Sequence, residues 1–202
     1  VISNPVATAV SATTAYNVLV TNTGTGCSSN TAVTVTTGAP LNGTYTVGVG
    51  GNYTTLTAAV NAYNSLCIGG PIVFSLIDNA YPSETFPIVI NSNAYASAVN
   101  TLTIKPALTK NPVISGNSDI AIINLNGADY ITIDGIDIID NNASAPATME
   151  YGYALYKNSD LDGCSFNIIQ NCNITLNKSN SSTGPGTFQN GSRGIFLADK
   201  PV

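Results

Sequence analysis

The chain has no histidine and no tryptophan, and Arg193 is its one arginine. Without histidine it lacks the side chain that titrates near neutral pH and most often binds metals. Lys and Arg total 6 against 11 Asp and Glu, a formal net charge of −5. Nucleic acid needs a basic face, so that class of partner is excluded. No apolar run reaches the roughly 18–20 residues of a membrane-spanning helix. No basic stretch leads into an apolar core at Val1, so no signal peptide is read there. The four cysteines, Cys27, Cys67, Cys164 and Cys172, form no C-x-x-C pair, which argues against zinc. They read as structural thiols or as disulfides of an exported protein.

What is present is uncharged. Only 8% of the 202 residues are charged, against roughly 25% in ordinary soluble domains, while 44% are hydrophobic. Disordered chains show the reverse balance. Asn, Thr, Ser and Gly fill the polar positions and suit the outside of a sheet-rich fold. The absence of an initiating Met and a start inside a strand-like pattern read as a piece of a longer polypeptide.

The organising stretch is Ala121–Asp140, AIINLNGADYITIDGIDIID. It holds apolar segments Ile122–Leu125, Tyr130–Ile133 and Ile136–Ile139, and in the last two Ile131/Ile133 and Ile136/Ile138 alternate with Thr132, Asp134 and Asp137 at period two. The turns between them are too short for crossover helices. Such a chain either meanders as hairpins or winds as coils, and coils must repeat. Repeats are there. Phe166–Ile174 superposes on Tyr130–Ile138 at 36 residues, placing Ile169 on Ile133, Cys172 on Ile136 and Ile174 on Ile138. Leu102/Ile104 precede Ile131/Ile133 by 29, and Ile72/Phe74 precede Leu102/Ile104 by 30. A second register aligns Leu125–Asp129 with Tyr156–Asp160 at 31, and Leu197 follows Tyr156 by 41. The residues Ile131, Ile133, Ile136, Ile138, Ile169 and Ile174 are therefore expected inside, stacked coil on coil.

Three regions precede the coils. Residues 1–37 read as strands Val6–Val10, Tyr16–Thr21 and Thr31–Thr36, the last two joined by a glycine-tipped hairpin. Residues 38–43, GAPLNG, read as a linker. Thr54–Leu66 is the one convincing helix, with Leu56, Ala59, Val60 and Tyr63 on one face and Thr54 or Thr55 as N-cap. Gly69-Gly70-Pro71 is read as its stop. Its expected job is to cap the first coil, with packing on the side of a sheet as the plain alternative. The β-helix region is read as 44–202: Thr44–Val49 is a strand, Ile72–Leu76 begins the first coil, and Asn141–Tyr153 and Asn177–Arg193 are loops leaving one corner.

Two resemblances cover most of the chain. Thr13, Thr14, Tyr16, Val18, Val20, Gly26, Cys27, Val33 and Val35 resemble the C-terminal half of the Ig-like or PKD-like repeats of large Bacteroidota surface proteins. In that family the Gly-Cys cysteine pairs near the domain's start, which implies an unpaired Cys27 here. Gly43–Val47, Tyr53–Val60, Gly70–Phe74, Leu102–Pro106, Val113–Gly116 and Tyr130–Gly135 resemble the start of right-handed parallel β-helix domains in Bacteroidota adhesin-like proteins. The implied fold class is all-β: a partial Ig-like β-sandwich module, then a right-handed parallel β-helix with an N-terminal capping α-helix. The resemblance also implies export through the type IX system and a cell-surface location.

Few residues can carry chemistry. Asp134, Asp137 and Asp140 are the candidate calcium ligands or acid–base pair, of the kind pectin-degrading β-helix enzymes use. The competing reading is that Asp134-Gly135 and Asp140-Asn141 are turns, where Asp bonds its own backbone. Arg193 reads as a loop cation. Tyr151, Tyr153 and Tyr156 offer either a sugar-stacking platform or core and rim packing. Cys172 is expected to face the core, and a Cys164–Cys172 disulfide is the lesser alternative.

The residues thus point to a chain with no catalytic group and no cofactor of its own. The expected function is a non-enzymatic stalk or display segment of a long secreted surface protein, serving adhesion or gliding. Its partners would be other segments of the same chain and surface glycans or surface proteins. The alternative is the beginning of a polysaccharide lyase or hydrolase whose catalytic coils lie downstream.

Overall fold

The computed structural model describes residues 14–35, 38–118, 120–141, 151–177 and 192–198. The described residues are mostly β, with one helix among them. Contacts divide the chain into two units, Val1–Ala39 and Pro40–Val202.

In the first unit, β1 (Thr14–Thr21) and β2 (Ser28–Val35) form an antiparallel hairpin, in register from Thr14↔Val35 to Thr21↔Ser28. The turn is set by Asn22, whose Oδ1 accepts from Gly24 N at 2.9 Å and Thr25 N at 3.2 Å. Gly26 closes it at φ +70°, a conformation glycine adopts without steric cost. Leu19, Val20 and Val33 are exposed. The expected strand Val6–Val10 lies outside the described residues.

The second unit begins with β3 (Leu41–Val47), inside the stretch expected to be linker. Leu41 pairs with Ile68 and is buried; the register then shifts so that Gly43 pairs with Ile72, the extra residues Gly69–Pro71 lying on β4. Next comes α1 (Leu56–Ser65), then β4 (Ile68–Leu76), β5 (Ile88–Asn91), β6 (Leu102–Pro106) and β7 (Val113–Gly116). The order continues with β8 (Ala121–Asn126), β9 (Ile131–Asp134), β10 (Asp137–Asp140), β11 (Tyr151–Tyr156), β12 (Ile168–Gln170), β13 (Ile174–Thr175) and β14 (Arg193–Ala198).

These strands make three sheets, ordered β12-β9-β6-β4-β3, β13-β10-β7 and β14-β11-β8-β5. Every pairing in them is parallel. From β6 onward the chain visits the three sheets in strict rotation. The three apolar segments of Ala121–Asp140 accordingly sit in three different sheets and do not pair with one another.

The inward residues stack in columns because the parallel registers put like on like. Phe74, Ile104, Ile133 and Ile169 form one column, and Ile72, Leu102 and Ile131 its neighbour. Ile114, Ile138 and Ile174 line the second sheet, and Ile90, Leu125, Leu155 and Leu197 the third. Ile131, Ile133, Ile136 and Ile138 are fully buried, while Ile169 and Ile174 of the last circuit are partly so. Each fully buried side chain contributes about 1.5–3 kcal/mol of transfer free energy.

The second register differs from the sequence reading by one residue. Leu125 pairs with Leu155 rather than Tyr156, and Leu197 stacks on Leu155. The slip is possible because every residue of β11 is buried, so no alternation marks its inward face. Tyr153 and Leu155 join the main core, while Tyr151, Ala154 and Tyr156 pack on the other side with Phe196.

The corners need left-handed backbone. Gly135 (φ +69°) turns β9 into β10, and Asn171 (φ +55°) makes the same turn between β12 and β13. Tyr130 and Phe166 open β9 and β12 at φ +57° each, with rings stacked 4.7 Å apart at 10°. Tyr130 is thus a corner residue rather than part of a strand.

Candidate functional site

Helix α1 packs against β5 and, less extensively, β3 and β4. Leu56, Ala59, Val60 and Tyr63, the face expected to pack, are all buried. Thr55 is the N-cap, its Oγ1 accepting from Ala58 N at 3.0 Å. Glu84, from a loop 28 residues away, binds the same end: its carboxylate accepts from Leu56 N and Thr57 N at 2.6 Å each. A carboxylate there also meets the positive end of the helix dipole. The helix ends at Ser65, earlier than expected, because Leu66 turns extended (ψ 155°) and Ile68 already starts β4. Gly69-Gly70-Pro71 therefore lies within a strand and is not the helix stop.

The side chain of Asn64 does what a neighbouring strand would do for β5. Its Nδ2 donates to Val89 O at 2.8 Å and its Oδ1 accepts from Asn91 N at 2.9 Å. Asn93 secures the helix C-terminus by donating to Tyr63 O and Leu66 O. A shallow cleft of about 250 Å³ lies beside this contact, lined by Thr57, Asn61, Asn64, Pro87 and Asn91 among others.

The acidic candidates are held by the following circuit. Asp134 Oδ1 accepts from Asn171 Nδ2 at 2.7 Å, and Asp137 Oδ1 from Asn173 N at 2.8 Å. Asp140 Oδ2 accepts from Asn177 N at 3.3 Å, and Asp129 Oδ1 from Ser165 N at 2.6 Å. Each bond spans 36 or 37 residues, one turn of the winding. Both earlier readings of these residues, metal ligands or local turns, missed this use. Among the described residues, no three His, Cys, Asp or Glu side chains group so as to hold a metal ion.

The remaining candidates also take packing positions. Tyr153 is fully buried and donates to Ile136 O at 2.8 Å, and burial drives its hydroxyl pKa far up. Tyr151 and Tyr156 are 4% and 2% exposed, so neither presents an open ring for a sugar. Arg193 does not sit in a loop: it opens β14, with its guanidinium carbon 5.1 Å from the Phe196 ring centre. Cys164 and Cys172 are both free. Their thiols point to different corners: Cys164 Sγ donates to Leu125 O and Tyr156 O, Cys172 Sγ to Gln170 O. Burial raises the Cys164 pKa, as expected of an inert packed thiol. Cys27 and Cys67 are free and exposed.

The sequence composition suggested asparagines stacking along neighbouring strands, without saying which ones. Asn126 donates from Nδ2 to Asn91 Oδ1 and Asn158 Oδ1, and Asn158 Nδ2 donates to Asp162 Oδ2. With Asn64 of α1 accepting from Asn91 N, the contacts run from α1 to the loop after β11.

Comparison with family models, curated proteins and solved structures gave no match. The case for function therefore stands on geometry. The β10-to-β11 and β13-to-β14 connections, expected as loops, both run from a strand of the second sheet to one of the third. The residues between them lie outside those described. Among the described residues, no helix is long and apolar enough to cross a membrane.

Proposed function

We propose that the chain is a non-enzymatic stalk or display segment of a long secreted cell-surface protein. In this reading the second unit is the capped beginning of a right-handed parallel β-helix, and the first belongs to an Ig-like module. Calcium and other cofactors have no part in it. The observation that carries the proposal is the use of the carboxylates. Asp129, Asp134, Asp137 and Asp140 each accept a hydrogen bond from the next circuit. General acid–base catalysis instead needs groups whose pKa values are tuned by burial or close charges and which face a substrate. A winding that uses its polar side chains to join one circuit to the next suits a spacer, with loops from one corner as the display surface. Surface glycans or surface proteins are the partners such loops would meet.

The test is incubation with pectin, polygalacturonate, xylan and alginate, with and without calcium. No reducing ends or unsaturated products are expected. Product release lost on Asp137→Ala or Arg193→Ala would favour a polysaccharide-active enzyme instead.

A further inference from the structure

We draw no further inference here: the strongest candidate, the apolar rung of Ile169, Ile174, Ile195 and Leu197 along the outer edge of β12, β13 and β14, is an open face, and nothing in the structure shows what covers it.

Discussion

Asn126 donates a hydrogen bond to Asn91 Oδ1 at 3.0 Å across 35 residues of chain. The contact exists because Asn91 and Asn126 are register partners in β5 and β8. Their amides repeat, in side chains, the hydrogen bonding that the backbones make between the same strands. A neutral amide suits this position because its Nδ2 donates to both neighbours, Asn91 Oδ1 and Asn158 Oδ1, without adding charge. Such a column can therefore run through several circuits without accumulating charge.

Asn126→Asp tests that logic. The substitution keeps the shape but removes the donor, leaving a carboxylate facing Asn91 Oδ1 and Asn158 Oδ1. A loss of about 1–3 kcal/mol is expected, since acceptors would face acceptors. Urea unfolding midpoints measure it. If the variant proves as stable as the parent, the column is not a stabilising feature.

Asn64→Ala tests the cover over β5. It leaves Val89 O and Asn91 N without their side-chain partner and opens a strand edge beside the helix. An unpaired edge invites pairing with another chain. The expected outcome is a loss of about 1–2 kcal/mol together with concentration-dependent association. Sedimentation over a range of concentrations reads the association. An unchanged monomer of unchanged stability would sink the edge-cover role.

How much of this was legible beforehand depended on burial. Ile131 and Ile133 could be placed inside because one face of β9 is buried and the other is not, so period two survives in the sequence. The 29-, 30- and 36-residue registers followed from such strands and agree with the pairing. Leu155 was misplaced by one because β11 is buried on both faces. Gly69-Gly70-Pro71 looked like punctuation, yet β4 runs through it, the three residues falling at the register shift between the Leu41↔Ile68 and Gly43↔Ile72 pairs. Stacking of asparagines along neighbouring strands was expected, but which asparagines and aspartates pair was not legible, for a different reason. A polar residue in a sequence does not reveal whether water, its own turn or the next circuit will satisfy it, and here the partner lies 32–37 residues away.

Alkaline pH should loosen the fold through its buried phenols. Desolvation raises Tyr63 and Tyr81 from 10.0 to about 12, with nearby Asp129 adding to the shift at Tyr63. A folded pKa above the unfolded one means the neutral form is favoured in the native state. That stability is complete below pH 10 and is lost as pH rises toward 12. The two residues differ at neutral pH. Tyr81 donates to Val47 O at 2.8 Å, whereas the buried Tyr63 hydroxyl has no hydrogen-bond partner among the described residues. Tyr81→Phe should therefore cost about 1 kcal/mol, while Tyr63→Phe should be neutral or stabilising and should soften the alkaline loss. Thermal melts at pH 7, 9.5 and 11 decide it, and a larger penalty for Tyr63→Phe would contradict the reading.

Asp137 offers the sharpest separation between a structural carboxylate and a calcium ligand. Its Oδ1 takes the backbone N–H of Asn173 and, with Oδ2, the Asn173 side-chain amide. Asp137→Asn keeps an acceptor oxygen and should lose little. Asp137→Ala removes the acceptor and leaves Asn173 N without it, so a loss of about 1–2 kcal/mol is expected. A calcium ligand would behave otherwise: binding to the native state raises the melting temperature with calcium concentration. Both substitutions would then erase that rise, because Asn supplies no charge for the ion. The expected result is one melting temperature for the parent in millimolar calcium and in EDTA, with only Asp137→Ala destabilised in both. A calcium-dependent rise in the parent that vanishes in Asp137→Asn would return this residue to metal binding.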